Sequence, residues 1–160
     1  MTKLVFTSCM DPMDSPKQRV WDAIATRRPD HLVLLGDNIY LDYGLSKNPG
    51  NGKPSRFPLQ VFAEAMYERY ARQWAILRAS ALYALPGLAF HGVWDDHDFA
   101  WNGSYGDNAS NAEADVSDSD APVSQRKQGI SRRLMRDFFA ALNGRASVYP
   151  AFPFQNGDYR

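Results

Sequence analysis

Two apolar runs separated by a helix signal constrain this chain more than any other feature. "KLVFTS", residues 3 to 8, is a short β-rich run ending in small polar residues, and "HLVLLGDN", residues 31 to 38, is a second one closed by Gly-Asp-Asn. Between them, Ser15 and Pro16 supply an N-cap and a favoured first helical residue, which predicts a helix running to about Arg28 before Pro29 stops it. A strand, a helix and a strand in so short a span cannot be a hairpin. The connection is long enough only for a crossover, so the two strands are expected to be parallel and neighbouring.

The rest of the chain extends that pattern. Residues 44 to 58, "GLSKNPGNGKPSRFP", read as a loop by composition, and a long helix is expected from Leu59 to about Leu82 with Val61, Phe62, Ala65, Met66, Tyr70 and Trp74 on one side. Pro86-Gly87 breaks it, and "LAFHGVW", residues 88 to 94, is a third apolar strand. Residues 103 to 123 are acidic and rich in Ser, Asn and Ala, which predicts a loop. A basic helix follows at "SQRKQGISRRLMRDFFAALNG", with Ile130, Leu134, Phe138 and Leu142 as its inner stripe and Asn143-Gly144 as its stop. An apolar content of 44% over 160 residues is enough for one core, so a single domain over 1–160 is expected, of α/β class with a mainly parallel sheet flanked by helices.

Charge and cysteine content narrow the function classes. Eighteen basic and eighteen acidic residues balance to zero, so bulk nucleic-acid binding is not expected. No apolar run reaches membrane-spanning length. The N-terminus lacks a secretory leader pattern, and the single Cys9 excludes an internal disulfide framework; both agree with a cytoplasmic location or a trimmed leader.

The chemistry sits at the strand ends. Cys9 follows the first strand, Asp37 and Tyr40 follow the second, and Asp95, Asp96, His97, Asp98 and Asn102 follow the third within "GVWDDHDFAWNG". Ligands of open parallel sheets bind at the carboxyl ends of the strands. Three adjacent strands of one orientation would gather thiolate, phenolate, carboxylate, amide and imidazole in one crevice, a donor set able to surround one or two metal ions. Bound cations would also offset the repulsion among clustered acids. Each residue has a plainer reading: Gly-Asp as a tight turn with a capping carboxylate, Cys9 as a small buried hydrophobe, Tyr40 as rim packing, "DDHD" as a solvated turn, and His31 and His91 as structural. Their coincidence at three strand ends favours the metal reading.

A strand ending in "SC", a strand ending in "GDNIY", and a strand ending in "WDDHDFAWN" together resemble the PhoD-like alkaline phosphatases and phosphodiesterases, a branch of the calcineurin-like metallophosphoesterases. The resemblance covers about residues 3 to 103. It implies the N-terminal half of an α/β/β/α sandwich and a dinuclear centre, iron plus calcium or another divalent ion such as manganese or zinc. By the same resemblance, Asp37 bridges the two ions, Cys9 and Tyr40 bind the ferric-type ion, and the third motif supplies the other metal and a general acid, His97. Asn102 is the favoured direct ligand from that motif, with Asp96 the alternative. Such a site hydrolyses phosphoric mono- or diesters, one ion activating water while both stabilise the phosphoryl oxygens.

The family closes its site with later His and Asp ligands, whereas the three histidines of this chain all lie at or before position 97. The sequence therefore reads as an incomplete metallophosphoesterase domain whose missing C-terminal half is expected to complete the site, with little turnover and weak metal binding expected of this chain alone. The competing reading is a non-catalytic fragment or pseudoenzyme that retains part of the metal site.

Overall fold

The computed structural model describes residues 1–13, 16–42, 54–106 and 122–154. Ser15, most of the loops expected at 44–58 and 103–123, and the last six residues lie outside the described residues.

Three strands, β1 (Leu4–Thr7), β2 (His31–Leu35) and β3 (Ala89–Val93), form one sheet in the order β1-β2-β3. Both pairings are parallel, with Leu4 opposite His31 and His31 opposite Ala89. All three strands therefore end at the same sheet edge, as the crossover argument requires. Partners in a parallel register share a face. Leu32, Leu34 and Phe90 are buried on one side, while Leu4, Phe6, Leu35 and Val93 on the other remain exposed.

Helices cover the buried side. The long helix α2 (Leu59–Arg78) and the basic helix α4 (Gln125–Asn143) pack together over the sheet, with the Tyr70 and Phe138 rings 5.1 Å apart. Ile130, Leu134, Phe138 and Leu142 are all buried, as their spacing predicts, and Ser124 caps α4 by accepting from the Lys127 backbone N–H. At Gly92 a Cβ would come within 2.3 Å of the Phe139 ring, so this glycine lets α4 seat directly on β3. Since β3 is an edge strand, its outward backbone groups need partners. The Asn143 amide supplies both, accepting from Phe90 N and donating to Phe90 O, each at 2.9 Å.

Two boundaries differ from the sequence expectation. The first helix, α1, spans only Val20–Ala25 rather than reaching from Pro16 to Arg28. Gln18 has φ +30 and Arg28 φ +48, both incompatible with a helix, and the Gln18 amide is engaged by Trp21 Nε1 and by Gln73 of α2. Helix α2 stops at Arg78 instead of about Leu82. Ser80 Oγ donates to Leu77 O, and Ala81 N donates to the Asp22 carboxylate, drawing the chain into a turn.

Beyond β3 lie a four-residue helix, α3 (Asp96–Phe99), and a two-residue parallel pair, β4 (Tyr105–Gly106) with β5 (Pro122–Val123). Buried Lys127 ties α4 to the segment before α2 by donating to the Pro54 and Ser55 carbonyls. Among the described residues, no helix is long and apolar enough to cross a membrane.

Candidate metal centre

The loops leaving β1 and β2 are bound to each other before any side chain is considered. Cys9 N donates to Gly36 O at 3.4 Å and Met10 N donates to Asp37 O at 2.8 Å. Cys9 (φ +61) and Asp37 (φ +51) both hold left-handed backbone, which side-chain-bearing residues adopt only when their surroundings impose it. Gly36, φ +96, permits the turn: a Cβ there would meet Asp95 Cβ at 2.7 Å and Asp95 N at 2.8 Å. The ends of β2 and β3 approach this closely because residue 36 has no side chain.

The result is a convergence on Asp37. Its Oδ2 accepts from Tyr40 Oη at 3.0 Å and from Cys9 Sγ at 3.6 Å. Its Oδ1 is buried with no hydrogen-bond partner among the described residues. Burial, then the hydrogen bonds to Cys9 and Asp37 and their charges, push the Tyr40 phenol well above its usual pKa and hold it neutral. One ligand atom each from Asp37, Asp96 and His97 lie within 4.8 Å of one another, close enough to share a cation.

Asp95 caps α3 in a reciprocal capping box with Asp98, which delivers Asp96 and His97 to the site. Asp96 accepts from His97 N at 2.9 Å and Gly103 N at 2.5 Å, fixing its carboxylate. His97 Nδ1 lies 2.7 Å from Asp42 Oδ1, and its ring packs on Tyr40 with centroids 4.3 Å apart. The other Asp42 oxygen accepts from Asn102 N at 3.0 Å. Asn102 itself is exposed at the rim, joined to the centre through Asp42 by its backbone.

Three residues of this arrangement, Asp42, Asn38 and Arg69, carry no role in the sequence reading, and a fourth, Asp98, appears there only as one of the donors after the third strand. Asp42 orients His97, and its position five residues after Asp37 carries no motif of its own. Asp98 is fully buried and accepts from the Asn38 backbone, the Asn38 amide and Asp95 N, stitching the ends of β2 and β3 together. Burial pushes its pKa up to about 7, partly offset by those donors. The Asp95-to-Asp98 spacing of a capping box was the available signal. Asn38 also donates to Val93 O, and Arg69, buried in α2, donates through Nε to Tyr40 O and steadies the loop behind β2. His31 and His91 lie elsewhere, side by side on the open face with Nδ1 and Nε2 3.0 Å apart.

The donor set fits a metal. A buried orphan carboxylate oxygen, with a thiol and a phenol on its other oxygen and a second carboxylate and an imidazole near by, is costly unless a cation satisfies it.

Comparison with curated proteins and with solved structures gives no match. A family model described as PhoD-like phosphatase matches residues 4–133, which takes in all three strand-end motifs and the first half of α4. With that span and that α/β architecture, the chain belongs to the PhoD-like phosphatase family.

Proposed function

We propose that the strand-end cluster is the metal centre of a phosphoric ester hydrolase, with Asp37 shared between two ions. The observation that carries this reading is the division of labour on Asp37: Oδ2 faces Cys9 and Tyr40, while Oδ1 is buried without a protein partner among the described residues. Cys9 and Tyr40 would hold an iron-type ion. Asp96 or Asn102 would serve the other, a calcium or similar divalent ion; the proximity of Asp96 to Asp37 and His97 favours Asp96. Such ions, when bound, activate water and stabilise charge on the phosphoryl oxygens.

The chain's own residues supply the remaining chemistry. Asp42 on Nδ1 fixes the His97 ring plane and keeps a proton at that nitrogen, so proton delivery to the leaving oxygen falls to Nε2. Asp96, held by two backbone N–H groups, keeps its carboxylate at a fixed angle to Asp37. Tyr40 and the His97 ring pack against each other and limit water on that side.

The test is metal titration with iron, calcium, manganese and zinc, followed by assays on an aryl phosphate and a bis-aryl phosphate. Saturable metal uptake that Asp37→Asn removes is the expected result; uptake and turnover unchanged in Asp37→Asn would defeat the bridging role. A second reading is a metal-binding module without turnover, since His31 and His91 pair on the open face and His97 alone stands near Asp37 and Asp96. Uptake lost in Asp37→Asn, with aryl phosphate left intact by the loaded wild type, would select it.

A further inference from the structure

Two histidines that the candidate centre does not use meet on the open face of the sheet. His31 stands at the start of β2 and His91 in the middle of β3. Nδ1 of His31 lies 3.0 Å from Nε2 of His91, and the rings are tilted by 44° with centroids 5.1 Å apart. Among the described residues, the hydrogen bonding of each ring is confined to the other ring. Their register neighbours on this face, Leu4, Val33 and Ala89, are apolar, as are exposed Phe6, Leu35 and Val93. Neither a carboxylate nor a carbonyl therefore accounts for a pair of imidazoles at this place.

We propose that His31 and His91 form a second metal site, a two-imidazole site for a transition-metal ion such as zinc or nickel, separate from the candidate centre. Two imidazole nitrogens bound to one zinc at about 2.0–2.1 Å lie about 2.9 to 3.4 Å apart, as the angle between them opens from square to tetrahedral. The observed 3.0 Å falls in that span. Both donors are carried by hydrogen-bonded strands whose parallel register sets their spacing, so binding has little to order. A neutral imidazole holds one N–H. With that proton on the far nitrogen of each ring, Nε2 of His31 and Nδ1 of His91, both facing lone pairs are free for the ion; the tautomer change passes a proton through water with no net release. The donor set is neutral and the strands add no oxygen ligand, so it suits zinc, copper or nickel and offers calcium nothing. Water fills the remaining positions. The candidate centre lies beyond the carboxyl ends of the strands, and the metal-competent group there includes neither ring.

The test reads the imidazole nitrogens themselves and is independent of turnover. Zinc chloride and calcium chloride are titrated into the wild-type chain, and the side-chain nitrogens of His31, His91 and His97 are followed in long-range 1H–15N spectra. Zinc is expected to shift His31 Nδ1 and His91 Nε2 together and saturably, and calcium to leave both unmoved. His31→Ala and His91→Ala, each on the open face, are expected to weaken zinc at the remaining ring at least about tenfold, because the second donor adds its share only by binding within the same molecule. Shifts confined to His97, no shift of the pair at millimolar zinc, or undiminished affinity at the remaining ring in either variant would overturn the proposal. Failure of the hydrolase reading appears separately, as absence of metal-dependent turnover.

Discussion

Asp42 illustrates how little a residue's own neighbourhood in sequence says about its task. Its two oxygens hold the His97 ring and the Asn102 backbone, so it sets the geometry of the third motif from a loop behind the second strand. In a protein that carries the completed site, replacing His97 with Ala is expected to lower turnover by about 10² to 10⁴, the usual loss for a general acid, while sparing metal uptake. Asp42→Ala should lower turnover by a smaller factor, about 10- to 100-fold, because the ring remains and only its orientation is lost. A steady-state comparison of the two variants with the double variant checks this. If Asp42→Ala still lowered the rate in a His97→Ala background, Asp42 would act by another route. His97 stands out in its motif as a candidate acid, whereas Asp42 does not stand out at all, because the contact spans 55 residues and depends on where the loop after β2 lies.

Among the elements, the junction of β2 with β3 governs whether the site exists. Gly36→Ala would force a Cβ to within 2.7 Å of Asp95 Cβ and place an L-residue at φ +96. A loss of more than about 2 kcal/mol is expected, with weakened metal uptake because Asp95 to Asp98 must retreat from Asp37. Urea denaturation and metal titration of one preparation measure both effects, and wild-type values in either would contradict the close-approach argument. At the outer edge, Asn143→Leu removes both partners of the Phe90 backbone and should cost about 1–3 kcal/mol, read from the same urea curves. The strands and the α4 stripe were visible as runs and periodicities. The ends of α1 and α2 were not, since they are set by tertiary bonds from Gln73 and Asp22 rather than by local propensity.

Across the whole molecule the core lies on one side of the sheet. Phe90, 3% exposed beneath the helices, and Phe6, 64% exposed on the opposite face, differ little by sequence pattern. Phe90→Ala should cost about 3–5 kcal/mol and Phe6→Ala less than about 1 kcal/mol by chemical denaturation. Comparable losses would mean that the open face is packed against something in solution. The sequence by itself determined the parallel order of the strands, because a strand-helix-strand span of that length closes in few ways, and it determined which donors gather at the strand ends. Tertiary structure alone decided which donors meet. The approach of β2 to β3 at Gly36, the buried Asp98 to Asn38 stitch, and the meeting of His31 with His91 depend on distances between segments far apart in the chain. Local pattern carries the direction of a side chain, but the distance between two such side chains is set by how the elements pack.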